Sequence, residues 1–575
     1  MLRGMRARFE FVLKALLCVT VVSSGQPVLG RTPSALQMDE DLLEVTVPRL
    51  HALYAQHKYT VTQVVQWHLE RIHRYDGIYR SLETVMEADA LAAAAREDGD
   101  AARGAAPRGA LWGVPIVIKA NTSIAGSVTT DGWSGFTIPG HELLAPQDAP
   151  IVAKLRAAGA IIIGHANMPD FANSDTNRSS SFGRTGNAYD VRVSPGGSSG
   201  GVVTALTANL AVLGNGTDTG NSIRMPSATS AVIGVFPTRG LVSIAGIAPL
   251  DWLLDNTGPI ARNVTDAAIA LTVMAGEDPR DPATAGSAAK AEPGPYTRYL
   301  KADALRGKRF AVPAFILEGA GIPFHGVPAA VSDEAAAKLE AAAAIPLQAP
   351  TRTAFLKAVE ELRAQGATVL VDASILPASF AATASRISTY PYVLEGTNQF
   401  LKEFGPADYH SAADYEKTLG APLGAAILGQ EPNDMRFGDV VVTQVDVETS
   451  PESKANYFDP RRRALEAYLE PLERLKLDGY VYPAIQMPPV DETMAQDGRV
   501  SEGPHSDTSW VNMLGVPAVV VVGGFYPGGL PFGLEISGRP WKDGDLLGFA
   551  YAWERATHHR HPPVLIERGL LTHTP

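Results

Sequence analysis

A chain of 575 residues with 45% hydrophobic and 19% charged residues has the composition of an ordinary globular protein and room for more than one domain. Its formal net charge of −12, without a basic stripe, argues against a nucleic-acid partner. The single cysteine, Cys18, lies so near the start that a processed chain would have neither disulfides nor thiol catalysis.

The first thirty residues have the order of a secretory leader. Arg3, Arg6 and Arg8 form a basic region, Ala15 to Val22 a short apolar one, and Val28-Leu29-Gly30 a small-residue cleavage site. The expected domains are therefore a signal peptide over 1–30 and one catalytic domain over 31–575, placed in the periplasm or secreted. No apolar run is long enough to span a bilayer, so no stable membrane insertion is expected after leader removal.

Asp41 to Tyr75 carries the period of two helices, with Asp76-Gly77 as the stop. Glu87 to Arg103 reads as a helix, Leu111 to Ile118 as a buried strand ending at Lys119, and Pro150 to Ala158 as a helix. Ala160 to Ile163 reads as a strand, and Gly164-His165-Ala166-Asn167 as the loop after it. The chain then reaches its densest punctuation, Val193 to Arg224, where two glycine-rich loops bracket a small-residue segment, Val202 to Leu213, expected to be a buried helix.

Beyond it, Thr265 to Met274 is helical, and strand and helix signals alternate through Phe310 to Pro313, Phe355 to Gln365 and Ala367 to Val371. That order favours an α/β fold. From about 287 to 453, alanine runs and scattered aromatics mark a variable region expected to shape substrate access. Strands at Val516 to Val522 and Phe532 to Ser537 and a helix at Leu546 to Thr557 close the chain.

The glycine loops matter chemically because glycine permits close backbone approach, letting peptide N–H groups converge. Convergent N–H groups beside a hydroxyl are what acyl transfer needs: a nucleophile and an oxyanion hole. The first loop holds Ser198 and Ser199, the second ends at Ser222, and Lys119 closes an apolar strand. A serine is a poor nucleophile until a base takes its proton. Taken singly, a lysine after a strand reads as a solvated edge charge and Gly-Gly-Ser-Ser-Gly-Gly as a plain turn.

Taken together, Gly113-Val114-Pro115-Ile116-Val117-Ile118-Lys119, Ser194-Pro195-Gly196-Gly197-Ser198-Ser199-Gly200-Gly201 and Gly216-Thr217-Asp218-Thr219-Gly220-Asn221-Ser222-Ile223-Arg224 resemble the amidase signature family. Asn167-Met168-Pro169, Gly258-Pro259-Ile260-Ala261-Arg262, Gly515-Val516-Pro517-Ala518 and Gly533-Leu534-Glu535 extend the likeness. The resemblance implies an α/β/α sandwich around a large mixed, twisted sheet. It implies Ser222 as nucleophile, Ser198 as a bridging serine held by a cis peptide bond, and Lys119 as base. It further implies an oxyanion hole from the N–H groups of Thr219, Gly220, Asn221 and Ser222, supported by Ser199 and by a buried Asp218–Arg224 pair.

Two departures from the family pattern stand out. Asn221 replaces a usual glycine, and Asp131-Gly132-Trp133 replaces a small-residue loop. Trp133, Asn167 and Met168 are candidate substrate contacts.

The expected activity is that of a metal-free, cofactor-free serine amidohydrolase on a small-molecule amide, with esters or carbamates as alternatives; the residues do not speak to oligomeric state. The family also includes subunits that transfer ammonia onto charged transfer RNA, which export and acidic charge disfavour. Rivals remain. Gly197-Ser198-Ser199-Gly200-Gly201 fits G-x-S-x-G, with Ser199 as an α/β-hydrolase nucleophile, but lacks the preceding buried strand. A phosphate-binding protein lacks its Gly-Lys-Ser/Thr loop. A non-catalytic exported binding protein is separable by a hydrolysis assay. His558, His559 and His561 read as a solvated surface cluster.

Overall fold

The computed structural model describes residues 35–105, 109–431, 434–493 and 504–563. The leader, with its cleavage site and Cys18, lies outside them. Two compact units result, Met1–Asp41 and Leu42–Pro575. Of the first, only part of a short helix, Ala35–Leu42, is described; everything below concerns the second.

That unit is built on one eleven-stranded mixed sheet. In chain order its strands are β1 (Leu82–Val85), β2 (Pro115–Lys119), β3 (Ile161–Ala166), β4 (Leu213–Asp218), β5 (Ile233–Phe236), β6 (Asn256–Ala261), β7 (Arg309–Val312), β8 (Thr368–Val371), β9 (Gly479–Pro483), β10 (Ala518–Phe525) and β11 (Pro531–Ser537). Across the sheet they run β1-β3-β2-β4-β6-β5-β10-β11-β9-β7-β8. The β3-β2-β4 group is parallel, as is β9-β7-β8, and the strands joining them are antiparallel. Helices cover both faces, the α/β/α arrangement expected. Among them, Val264–Met274 and Asp543–Thr557 pack on each other and on β6 and β10, and Ala349–Ala364 packs on β9, β10 and β11.

The N-terminal helices span Val47–Ala55 and Val61–Tyr79. The second opens on a capping box, in which the Thr60 hydroxyl accepts from Gln63 N and the Gln63 side chain accepts from Thr60 N. It does not stop at Asp76-Gly77. The Asp76 carboxylate instead accepts from Ser81 N, Ser81 Oγ and Leu82 N, tying down the next turn. The helix ends where Arg80 takes a left-handed conformation.

Three other boundaries differ from expectation. Residues 111–114 form a turn and β2 begins at Pro115. β3 continues through His165 and Ala166, paired with β2 at Ile118 and Lys119, so the expected loop starts later. The buried helix covers only Gly200–Thr207; Asn209 then turns the chain in a left-handed conformation (φ 57°) and β4 follows. The helix must start on glycine, since a Cβ at Gly201 would stand 2.3 Å from the Asn167 carbonyl oxygen. β4 gives no strand signal because Leu213-Gly214-Asn215-Gly216-Thr217-Asp218 is polar and glycine-rich yet wholly buried, so it shows no alternation.

The stretch 287–453 also contributes to the sheet and its core. It supplies two outer strands, β7 and β8, and part of a large core cluster in which Phe315 and Phe380 meet Trp510, itself against Tyr468.

Candidate active site

β2 and β4 run side by side in parallel, so Lys119 and Asp218 end neighbouring strands on the same side of the sheet. Ligand sites of mixed α/β sheets gather at such carboxyl ends. Lys119 is fully buried. Its Nζ lies 2.7 Å from Ser198 Oγ, 2.8 Å from Thr217 Oγ1 and 3.4 Å from the Thr217 carbonyl oxygen. Burial draws its pKa down from 10.5 to about 7, against the pull of Asp131, Asp218 and Asp255. Thr217 Oγ1 also accepts from Asn121 Nδ2 at 3.0 Å. Neither Thr217 nor Asn121 is among the expected site residues. Their signal lies in Thr217 sharing the buried β4 with Asp218, which becomes legible only once that segment is known to be a strand.

Ser198 is fully buried and follows a cis Gly197–Ser198 peptide bond. A Cβ on Gly197 would stand 2.3 Å from the Ser174 carbonyl oxygen, which explains why glycine precedes it. Ser199 is equally buried; its Oγ donates to the Thr217 carbonyl (3.2 Å) and its N–H to the Ser222 carbonyl (3.2 Å). Its hydroxyl thus braces the loop from behind, and the segment before it is loop rather than the strand that a nucleophile elbow requires.

Of the three candidate catalytic residues, Ser222 alone is on the wall of a cavity of about 790 Å³, which Thr219, Gly220 and Asn221 also line. Among the described residues, no acceptor takes the N–H of Thr219, Gly220, Asn221 or Ser222. Unpaired N–H groups beside a hydroxyl on a cavity wall make an anion-accepting corner. Thr219 Oγ1 donates to Asp255 Oδ1 at 2.5 Å, and the Asn221 side chain donates from Nδ2 to Asp175 Oδ1 at 3.1 Å. Asn221 therefore turns its amide along the wall to a carboxylate, rather than standing free over that corner.

The loop is anchored from beneath by Arg224, which is fully buried. Its Nε and Nη2 donate to Asp218 (3.1 and 3.2 Å), Nη1 to Glu535 Oε1 of β11 (2.8 Å), and Nη2 also to the Gly220 carbonyl and Asn512. Asp218 Oδ2 in turn accepts from Ile223 N at 2.8 Å. The expected Asp218–Arg224 pair is thus one half of a four-part network with Glu535 and Asn512.

The substrate-contact candidates sit elsewhere. Trp133 packs in an aromatic group with Phe136, Phe171 and Tyr415. Asn167 is fully buried, with Nδ2 donating to Thr185 Oγ1 and the Gly183 carbonyl. Neither is on the cavity wall: the Trp133 ring is packed among aromatic rings and the Asn167 amide is spent on its own hydrogen bonds. Met168 is also off the wall. It packs with Ala120 directly behind Ala172, Leu250 and Phe324, three residues that do line the cavity. Asp131, from the unusual loop, is buried; its N–H donates to the Ala120 carbonyl, and its Oδ1 has no partner among the described residues. Burial pushes its carboxyl well above the usual range, while Lys119 pulls it back.

Among the described residues, no group of three or more His, Cys, Asp or Glu is placed to hold a metal ion. His559 pairs with Glu361 at 2.6 Å rather than with the other two histidines. No helix among the described residues is long and apolar enough to cross a membrane.

A buried lysine reaching a cis-linked serine, behind a second serine on a cavity wall and on a sheet of this order, defines a class: the chain belongs to the amidase signature family. The Amidase family model matches residues 63–344. The glutamyl-tRNA(Gln) amidotransferase A subunit of Symbiobacterium thermophilum is 31% identical over 91% of this chain and 99% of its own length. The protein of the same name from Alkaliphilus metalliredigens is 31% identical over 89% and 96%. Among solved structures, the peptide amidase of Stenotrophomonas maltophilia superposes with a TM-score of 0.70 at 28% identity, covering 90% of this chain and 98% of that one. The fold is that of the amidase signature enzymes.

Proposed function

We propose that this chain is a serine amidohydrolase that cleaves amide bonds through an acyl-enzyme, with Ser222 as nucleophile, Ser198 as proton bridge and Lys119 as base. The observation that carries the proposal is the surroundings of Lys119 Nζ: a fully buried amine, its pKa drawn down to about 7, 2.7 Å from Ser198 Oγ. A neutral amine has two hydrogens and one lone pair. Thr217 offers two acceptors, Oγ1 at 2.8 Å and its carbonyl at 3.4 Å. With both hydrogens so placed, the lone pair is left to accept the Ser198 proton.

Ser222 Oγ then attacks the amide carbon. Its proton passes to Ser198 as the Ser198 proton passes to Lys119, and the carbonyl oxygen becomes an oxyanion held by the free N–H groups of the 219–222 loop. Collapse breaks the C–N bond, and the amine leaves with the proton that Lys119 returns through Ser198. Water repeats the cycle on the ester and releases the acid. The peptide amidase likeness supports an amide substrate, and the cavity has room for more than a small acyl group. The basic-apolar-small order of 1–30 supports export, and Edman sequencing of the mature protein should then begin near Arg31; an intact Met1 on cytoplasmic material would refute export.

A second reading has its own support in the curated relatives, which are amidotransferase subunits matched at nearly full length. In that case a partner chain would complete the activity. The test is a panel of aryl, aliphatic and peptide amides, esters and carbamates with the isolated chain, together with a fluorophosphonate and mass spectrometry. Hydrolysis by the chain alone, with label on Ser222, is the expected result. Label on Ser199, with Ser222→Ala still active, would restore the α/β-hydrolase rival; label on Ser222 without turnover of any substrate would favour the second reading.

A further inference from the structure

The cavity in front of Ser222 has one carboxylate, Asp175, and one imidazole, His505, on its described wall. Its wall is made of small and apolar residues, among them Leu250, Ile322, Phe324 and Met487, together with serines and asparagines. Asp175 is the one carboxylate on the described wall, and no lysine or arginine accompanies it. The carboxylate is held from two sides. Asn221 Nδ2, on the residue next to the nucleophile, donates to Oδ1 at 3.1 Å, and His505 Nδ1 lies 3.3 Å from Oδ2. The partners come from 46 and 330 residues away, so three separate loops converge to fix one side chain.

An ionised carboxylate has about four acceptor positions, of which these two partners fill two. The side chain retains 26% exposure. An anchored carboxylate, with lone pairs to spare, in a low-polarity pocket and without a lysine or arginine beside it, is a place for a cation. The same wall gives a carboxylate-bearing substrate no basic side chain of that kind to pair with and one charge to repel it.

Resting on the amidohydrolase reading, we infer that Asp175 is a specificity residue and that the site takes amides bearing an ammonium or guanidinium group, and rejects those bearing a free carboxylate near the scissile bond. Asn221 then serves to hold Asp175 beside the nucleophile. Because Asn221 neighbours Ser222 in the chain, the loop that carries the nucleophile also holds the carboxylate of the cation subsite.

Two measurements test this. The first compares kcat/KM for benzyloxycarbonyl-lysine amide, its norleucine counterpart and its glutamate counterpart, with a parallel series carrying the charge on the amine side. The lysine-to-norleucine ratio should be about tenfold or more in one of the series, the scale of one charge-assisted hydrogen bond, and should fall toward one in Asp175→Asn. Equal ratios in parent and variant, or glutamate amide turned over as well as norleucine amide, would overturn the inference.

The second needs no turnover. Calorimetric binding of benzylammonium and of benzyl alcohol to Ser222→Ala, with and without Asp175→Asn, should show the ammonium favoured about tenfold only when Asp175 is present. Binding that ignores the charge overturns the inference even if the chain proves to be an amidase. Charge-selective binding sustains it even if the chain alone hydrolyses nothing.

Discussion

Replacing Lys119 by methionine separates what the buried amine does for chemistry from what it costs the fold. Its pKa falls from 10.5 to about 7 on burial. At 1.36 kcal/mol per tenfold, that is a penalty of about 5 kcal/mol at pH values below 7. Between about 7 and 10.5 the unfolded chain binds a proton that the native chain does not, so the parent's stability rises with pH across that window. Methionine keeps the volume and removes the penalty, but forfeits the contacts to Ser198 and Thr217, worth about 1 kcal/mol each.

The variant should therefore be more stable than the parent by about 3 kcal/mol at pH 6 and less stable by about 2 kcal/mol at pH 11, with the two crossing at about pH 9. Urea unfolding followed by tryptophan fluorescence at pH 6, 8 and 10 reads the difference, and a parallel assay should find the variant inactive throughout. A difference between the two chains that does not change with pH would mean that the lysine is already charged in the native protein, and the base assignment would fail with it.

Three other outcomes follow from the same geometry. Activity of the parent should rise with pH through about 7 and plateau above it, since only neutral Lys119 accepts a proton. At pH 5 it should stand about a hundredfold below the plateau, and a profile falling toward alkaline pH would contradict the assignment. Asn221→Gly should release Asp175 from one of its two anchors and widen the approach to Ser222. Bulky amides should gain relative to small ones, measured as a ratio of kcat/KM, and an unchanged ratio would show that the amide does not restrict the pocket. Arg224→Met should strand Asp218 and Glu535 together without a counter-charge, at about 3 to 5 kcal/mol. Soluble yield and unfolding midpoint should drop sharply, and Glu535→Gln in the same chain should recover part of the loss.

What can be read in the residues is local. The paired glycine loops, the lysine at a strand end and the alternation of β and α signals each declare themselves within ten or twenty positions. β4 does not, because a strand buried on both faces, with its polar groups satisfied by Asn121, Lys119 and Thr122, looks like a loop. Contacts that close over long separations are equally silent. Nothing in Asp175 by itself announces Asn221 and His505, and nothing in Glu535 announces Arg224, from which it is separated by 311 residues. Trp133 and Asn167 lie off the cavity wall for a related reason. An aromatic or an amide beside a motif looks available until the elements that claim it, such as the Ala412–Leu419 helix carrying Tyr415, are in place.

The Arg224–Glu535 contact also has a consequence for how the protein is made. Lys119, Ser198 and Ser222 all emerge from the ribosome well before residue 535. Until Asn512 and then β11 have been made, Arg224 lacks two of the partners that hold it in the finished fold, and the end of β4 lacks the Asn512 side chain. The loop that presents Ser222 is therefore without part of its anchorage through most of synthesis. A chain interrupted before β11 would carry the whole of its candidate chemistry in sequence without the carboxylate that anchors the Ser222 loop from beneath.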